Sequence, residues 1–129
     1  METMLDIRRY QDTHVYGDAS RSQAFYAGLD STPPLYGTDA EPGPAKLAYA
    51  HYTLDTVVGT GHWFIVEYDP GSFLAYGYLV IAGCETGSWG HFDIRELESV
   101  ISRTGLRVER DSGWLMKPMA DIADIGVLL

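Results

Sequence analysis

Three stretches of aromatic and β-branched residues, each bounded by turn-forming residues, constrain the fold of this chain most strongly. They cover residues 46–54, 63–68 and 74–82. Residues of these types favour the pleated, half-buried surface of a sheet. The two connections, Val58-Gly59-Thr60-Gly61 and Asp69-Pro70-Gly71-Ser72, supply proline for a fixed φ and glycine for a positive one. The pattern therefore predicts an antiparallel β-sheet meander, with a fourth short strand over residues 89–92.

A helix is predicted directly after this sheet. Asp93 is a good N-cap residue, and Glu96 stands three positions later, as in a capping box. Apolar residues then fall on one helical face, at Ile94, Leu97, Val100 and Ile101. Gly105 has the position of a left-handed helix terminator, and residues 106–110 are expected to return as an edge strand. We expect an α+β fold in which this helix packs on one face of the sheet.

The chain divides at a region rich in proline and glycine, residues 31–44. Before it, Asp18 is a candidate cap for a short helix that Gly28 would close. We therefore predict an N-terminal arm with a short helix over residues 1–34 and one compact α+β domain over residues 35–129. A chain of 129 residues is long enough to bury one hydrophobic core.

The formal net charge is −9, from 18 acidic and 9 basic residues. This charge repels phosphate backbones, so direct binding to nucleic acid is not expected. It suits solubility, a basic protein partner, or occupation of a surface that normally holds nucleic acid. No apolar run approaches the roughly 20 residues of a membrane-spanning helix, and the N-terminus lacks the pattern of a secretory signal. We expect a cytoplasmic protein that does not bind membranes.

The residues that could carry chemistry do not form a known motif. The histidines, His14, His51, His62 and His91, show no metal-binding spacing, and no nucleophile or phosphate-binding motif is present. Cys84 is predicted to be a small buried hydrophobic residue. We expect no catalytic residue, no metal and no cofactor.

An alternative is a small enzyme or ligand-binding module that uses Glu67, His51 and His91 around an aromatic pocket. On the predicted strands, His51 shares a face with Leu47 and Tyr49, and Glu67 shares one with Trp63 and Ile65. Both side chains could therefore point inward and meet. The competing interpretation is that they face solvent, or that Glu67 accepts hydrogen bonds from a backbone amide or a tyrosine hydroxyl.

Aromatic residues beside carboxylates are good anchors for a protein partner, because they bury a large area at a small entropic cost. The aromatic candidates are Tyr76, Tyr78 and Trp89. The acidic candidates are Glu67, Asp69, Glu96 and Glu98.

A series of short motifs between Leu35 and Pro118 resembles an uncharacterised bacterial and mobile-element family, domain of unknown function 2958. The motifs are Leu35-Tyr36-Gly37-Thr38, residues 63–69, Gly90-His91-Phe92, Glu96-Leu97-Glu98-Ser99-Val100, Gly105-Leu106, Glu109-Arg110-Asp111 and Lys117-Pro118. The chain departs from the family pattern at Ser88, where an acidic residue is usual, and at Tyr76-Gly77-Tyr78, where an aromatic residue precedes Gly-Leu. The resemblance implies a plasmid, phage or other mobile-element setting and assigns no catalytic residue.

Charge and resemblance together predict a non-enzymatic, acidic accessory protein of a mobile element. We expect it to bind a protein partner with a basic surface and to inhibit a nucleic-acid-handling defence system, of anti-restriction or anti-CRISPR type. A third hypothesis is that the chain is an oligomerisation module in which exposed edge strands pair between copies.

Overall fold

The computed structural model describes residues 22–84, 86–100 and 105–122. Its strands are β1 (Leu47–Ala48), β2 (Ala50–Thr56), β3 (Gly59–Asp69), β4 (Leu74–Val80), β5 (Ser88–Asp93), β6 (Glu109–Arg110) and β7 (Lys117–Pro118). Helix α1 covers residues 22–26 of the described chain, and helix α2 covers Ile94–Ser99. Short 3-10 turns occupy Leu29–Ser31, Gly43–Ala45 and Met119–Asp121.

Five strands form one antiparallel sheet in the order β5-β4-β3-β2-β6, and β1 pairs with β7 in a separate two-stranded sheet. The predicted α+β meander is therefore confirmed. The first predicted strand, residues 46–54, is divided into two parts at Tyr49. The amide of Tyr49 still donates to the carbonyl of Ile65, at 2.8 Å, but β1 pairs with β7 instead of β3. The chain thereby moves from the small sheet into the large one.

The two faces of the large sheet differ in what they carry. The helix face is defined by Tyr52, Ile65, Tyr68 and Ala75, which pack in one cluster with Phe25 of α1 and with Ile94 and Leu97 of α2. The pocket face is defined by the row His51, Phe64, Tyr78 and Trp89 and by the row Glu67, Tyr76 and His91, whose members lie opposite one another across neighbouring strands. Ala48, Met119 and Trp114 cover the middle of the pocket face.

Helix α2 begins as its sequence predicts. The carboxylate of Asp93 accepts a hydrogen bond from the amide of Arg95, at 2.8 Å, and Ile94 and Leu97 are buried. The helix ends at Ser99, earlier than expected, because Val100 already has extended backbone with ψ 130°. Ile101 lies outside the described residues. Gly105 has φ +86°, but α2 already ends at Ser99, so the prediction that Gly105 terminates this helix was wrong. β6 is an edge strand as predicted, although it covers Glu109–Arg110 and not residues 106–110.

Residues 22–34 pack against the helix face. Phe25 and Leu29 are buried in its core, and the hydroxyl of Tyr26 donates to Glu98 of α2, at 2.9 Å. Gly28 has φ +76°, as expected for a residue that closes a helix, whereas Asp18 lies outside the described residues. The predicted boundary between residues 34 and 35 remains a prediction. In the described ranges, no helix has both the length and the apolar character to cross a membrane.

Candidate functional site

A β-bulge in β3 decides which way Glu67 points. Ile65 lies opposite Gly77 and Glu67 lies opposite Tyr76, so Val66 is an extra residue on β3. Gly77 and Tyr76 are adjacent in β4 and point to opposite faces. The prediction that Glu67 shares a face with Trp63 and Ile65 was therefore wrong. The bulge turns Glu67 onto the pocket face, with a side chain that is only 2% exposed.

Gly77 allows the strands to approach at this point. A Cβ atom on Gly77 would stand 1.7 Å from the carbonyl oxygen of Phe64, far inside van der Waals contact. Any larger residue would push β4 away from β3 beside the bulge. A glycine in a strand interior is otherwise unfavourable, so its presence here marks a close backbone approach.

The carboxylate of Glu67 organises the loop that follows Pro34. One oxygen accepts from the amide of Tyr36, at 2.7 Å, and the other accepts from the amide of Thr38, at 3.1 Å, and from its hydroxyl. Lys46 donates to the same threonine, to its carbonyl oxygen and, at 2.9 Å, to its hydroxyl. The expectation that Glu67 accepts backbone hydrogen bonds is confirmed. These bonds hold Tyr36 at φ +68°, an uncommon conformation for a residue with a large side chain.

An open cavity of about 220 Å³ lies above Glu67 and is lined by Tyr36, Asp39, Glu67, Tyr76 and His91. We call it the Glu67 pocket. The ring of Tyr76 lies 5.0 Å from that of His91, and the ring of Tyr36 lies 6.2 Å from His91. Trp89 stacks behind Tyr76 with a centroid distance of 5.8 Å and an interplanar angle of 16°. Aromatic faces therefore surround a carboxylate.

The Glu67 pocket has a negative potential. Burial raises the pKa of the Tyr76 hydroxyl, and the carboxylates of Glu67 and Asp39 raise it further. Asp39 is exposed, and its carboxylate has no hydrogen-bond or ion-pair partner within residues 22–84, 86–100 and 105–122. Lys46 offsets part of the charge of Glu67 through Thr38. Among the described residues, nothing therefore occupies the Asp39 carboxylate that would meet a cation.

A second polar cluster lies on the pocket face at the β2 and β6 side. Nδ1 of His51 lies 2.8 Å from the carboxylate of Asp111, and Nε2 of His51 lies 2.9 Å from Nδ1 of His62. We call these three residues the histidine relay. The two imidazole rings are nearly coplanar, at 9°, with centroids 5.2 Å apart, so they meet edge to edge. His51 is 8% exposed and also contacts Phe64 and Trp114.

Burial favours the neutral form of both imidazoles of the histidine relay. Burial lowers the pKa of His51, Lys117 lowers it further, and the hydrogen bond and charge of Asp111 oppose this only in part. Burial and the neighbouring His51 ring lower the pKa of His62, while Asp55 opposes them. Two neutral rings can share one hydrogen bond, whereas two imidazolium rings would repel each other.

The structure brings together only part of the predicted Glu67, His51 and His91 set. Glu67 and His91 line the same pocket, while His51 belongs to the histidine relay. Sequence reasoning missed Tyr36 and Asp39 as pocket residues and His62 and Asp111 as partners of His51. The β2–β3 hairpin register, which pairs His51 with Phe64 and Thr53 with His62, was the available signal for the two histidines.

Comparison with known families identifies the chain. A family model described as protein of unknown function (DUF2958) matches residues 51–125, more than half of the chain. The chain belongs to this family. No curated protein and no solved structure matches it. The resemblance found in the sequence is confirmed, while the bacterial and mobile-element origin stays a prediction.

The DUF2958 match covers the whole histidine relay and three of the five pocket residues: Glu67, Tyr76 and His91. Tyr36 and Asp39 precede the matched segment. Three residues that line the pocket therefore belong to the matched family region, and two belong to the loop that precedes it.

The remaining partner-binding candidates of this DUF2958 member have varied positions. Tyr78 is buried, Trp89 is half-buried beside Tyr76, and Glu96 is exposed on α2. Asp69 accepts from the amide of Gly71 and the hydroxyl of Ser72 in the β3–β4 turn, and Glu98 accepts from Tyr26. Their role as partner contacts stays a prediction, but Tyr78 and Glu67 do not present side chains on the surface.

Cys84 is exposed, so its predicted burial was wrong. It follows β4 in the connection to β5, beyond the residues that the sheet covers. Over the described part of the chain, no group of three His, Cys, Asp or Glu side chains is placed to hold a metal ion. The expectations of no metal and no cofactor remain predictions.

Proposed function

We propose that this protein acts by binding a basic protein partner, and that the Glu67 pocket receives the cationic head group of one arginine or lysine side chain. A single observation carries the proposal: the β3 bulge places a buried carboxylate at the floor of a cavity walled by Tyr36, Tyr76 and His91 and bordered by the free carboxylate of Asp39.

The size of the pocket supports a single side chain as its ligand. Pockets for drug-sized molecules have volumes of about 300–1,000 Å³. The Glu67 pocket has about 220 Å³ and is open to solvent. It can hold a guanidinium or ammonium group with part of its aliphatic stem, while the rest of the partner lies outside.

The chemistry of the lining supports a cation. The faces of tyrosine rings attract cations, with a contribution of about 0.5–2 kcal/mol that increases as water is removed. Asp39 adds an exposed carboxylate, and the net charge of −9 draws a basic partner toward the whole molecule. A planar guanidinium can stack on a tyrosine and bind a carboxylate at the same time, so arginine is the favoured ligand.

The finer part of the proposal concerns the partner. We propose a nucleic-acid-handling defence protein, which the chain inhibits in the service of a plasmid, phage or other mobile element. Such proteins carry basic grooves for phosphate backbones, and an acidic protein can occupy these grooves. This part depends on the charge and on the setting that the family resemblance implies.

The test is affinity capture with three versions of the full chain: wild type, Asp39→Asn in the pocket, and Asp30→Asn beside the helix face. Each variant removes one negative charge from an exposed aspartate, so the two have equal net charge. At low salt, we expect wild type and Asp30→Asn to retain the same amount of one basic protein, and Asp39→Asn to retain several times less of it. High salt should release this protein from all three versions.

Equal retention by all three versions would contradict the pocket as the binding site, because only the local carboxylate differs. Retention that high salt does not reduce would contradict a cationic ligand and indicate an apolar interface. Retention of nucleic acid without a protein partner would contradict the proposal altogether.

A further inference from the structure

The histidine relay lies outside the Glu67 pocket, and the binding function does not use it. When Asp111 is ionised and both imidazoles are neutral, the hydrogen bonds of the histidine relay assign the ring protons. An ionised Asp111 can only accept, so Nδ1 of His51 must donate to it. Nε2 of a neutral His51 then has no proton and accepts from Nδ1 of His62, at 2.9 Å. Nε2 of a neutral His62 is left with its lone pair.

That lone pair is available for reaction. Within the described ranges, Nε2 of His62 has no hydrogen-bond partner, and the residue is half-buried on the pocket face, so solvent can reach it. The coplanar, edge-to-edge rings align the Nδ1 proton of His62 with the acceptor nitrogen of His51. When Nε2 of His62 forms a bond, its Nδ1 proton can pass to His51, and the resulting imidazolium lies against the Asp111 carboxylate.

We propose that His62 is an activated imidazole nucleophile that accepts acyl groups from activated esters, with Asp111 and His51 as its positioning residues. The surrounding charge selects this class of electrophile. Carboxylates at Asp55, Glu109 and Asp111 lie on the same face as His62 and outweigh the positive charge of Lys117 near His51. A phosphate ester is therefore less favoured here than a neutral carboxylic ester.

The reaction is balanced with ester and water alone. Nε2 of His62 attacks the ester carbonyl, a nitrogen–carbon bond forms, and the carbon–oxygen bond breaks, with the electron pair leaving on the alcohol oxygen. The Nδ1 proton of His62 moves to Nε2 of His51. Water then hydrolyses the acyl-imidazole to a carboxylic acid and returns a proton to His62, while His51 gives its extra proton to the departed alkoxide through solvent.

His91 provides an internal control. It is more exposed than His62, and its ring contacts Tyr36 and Tyr76 in the Glu67 pocket. No side chain of the described residues forms a hydrogen bond with its ring. Exposure alone would make His91 the faster of the two residues to react. A faster reaction at His62 must therefore come from activation.

The experiment treats the full chain with diethyl pyrocarbonate at neutral pH and follows acylation of His62 and His91 separately by peptide mass spectrometry. We expect His62 to react about tenfold faster than His91, and Asp111→Asn to reduce the His62 rate by roughly 10- to 100-fold while the His91 rate is unchanged. Asp111→Glu, which keeps the carboxylate, should restore part of the His62 rate. His51→Gln should lower it as Asp111→Asn does.

The same preparations are assayed for release of nitrophenolate from p-nitrophenyl acetate, which wild type should catalyse and His62→Gln should not. His62 reacting no faster than His91 would overturn the proposal. So would an unchanged His62 rate in both Asp111→Asn and His51→Gln, or nitrophenolate release that survives in His62→Gln. A variant that misfolds is recognised because its His91 acylation rate and its circular dichroism spectrum change together. The other of the two variants, Asp111→Asn or His51→Gln, then tests the proposal.

Discussion

The two faces of the large sheet are built from the same strands but serve different purposes. On the helix face, α1, α2 and the sheet enclose a continuous apolar cluster with Phe25, Ile65 and Ile94 at its centre. On the pocket face, a smaller apolar centre formed by Phe64, Tyr78 and Met119 separates the Glu67 pocket from the histidine relay. The Glu67 pocket and the histidine relay therefore both lie on the same face.

The difference indicates that the helix face supplies most of the stability and that the pocket face carries the candidate sites. A strand alternates its side chains between faces, so one sequence can supply a dry core on one side and polar sites on the other. In β3 the alternation is broken once, at Val66, and that break adds Glu67 to the pocket face. The stability of the helix face is expected to be insensitive to pH near neutrality but sensitive to substitution. The pocket face should be sensitive to pH and less sensitive to substitution.

The largest expected effect is Ile65→Ala on the helix face. Ile65 is fully buried, so the change leaves a cavity and should lower the free energy of unfolding by about 2–5 kcal/mol. The matched comparison is Tyr76→Ala on the pocket face, where the side chain is half-buried beside an open cavity. Urea denaturation should show a clearly smaller loss in the free energy of unfolding for Tyr76→Ala. Equal losses in the two variants would contradict the proposed difference between the faces.

A smaller effect is expected for Glu67→Gln. The amide keeps the shape of the carboxylate but offers one acceptor oxygen in place of two, so the amides of Tyr36 and Thr38 cannot both be satisfied. We expect a loss of about 1–3 kcal/mol in the free energy of unfolding. Glu96→Gln, at an exposed position, is the control and should change it by less than about 0.5 kcal/mol. If Glu67→Gln leaves the free energy of unfolding unchanged, the loop does not depend on this carboxylate.

The pH dependence should separate the histidine relay from the tyrosines of the helix face. The pKa of His51 and His62 is lowered by folding, so below about pH 6.5 the unfolded chain binds protons that the folded chain does not, and stability falls. On the helix face, burial raises the pKa of Tyr26 and Tyr52, so above about pH 10 the unfolded chain loses protons that the folded chain keeps, and stability falls there too.

Thermal unfolding across pH checks this division. His62→Gln should reduce the loss of stability between pH 7.5 and 5.5 without changing the loss above pH 10, and Tyr26→Phe should do the reverse. A His62→Gln variant with the same acid sensitivity as wild type would contradict the assignment to the histidine relay.

Local signals in the sequence predicted the elements well. Pro70 and Gly71 mark a turn, Asp93 caps α2, and Gly28 adopts a positive φ after α1, because each depends on neighbours in the chain. The candidate sites were harder. The bulge at Val66 has no local signature, so alternation assigned Glu67 to the wrong face.

Long-range pairing explains what else was missed. Asp111 reaches His51 because β6 pairs with β2, more than fifty residues earlier in the chain. The loop with Tyr36 reaches Glu67 through a hydrogen bond from a backbone amide, across thirty-one positions. Neither pairing follows from spacing. His51 and His62 are joined by a hairpin, so assigning its register from the turn at Val57 and Val58 would have brought them together.

The most direct test of the central claim is a titration of the isotope-labelled protein with N-acetyl-arginine methylamide, followed by amide chemical shifts, beside the same titration with the uncharged citrulline analogue. We expect arginine to shift the amides of Tyr36, Asp39, Tyr76 and His91 with a dissociation constant on the order of millimolar, and citrulline to leave them unchanged. Shifts that are absent from these residues, or that citrulline produces equally, would contradict a cation-binding pocket at Glu67.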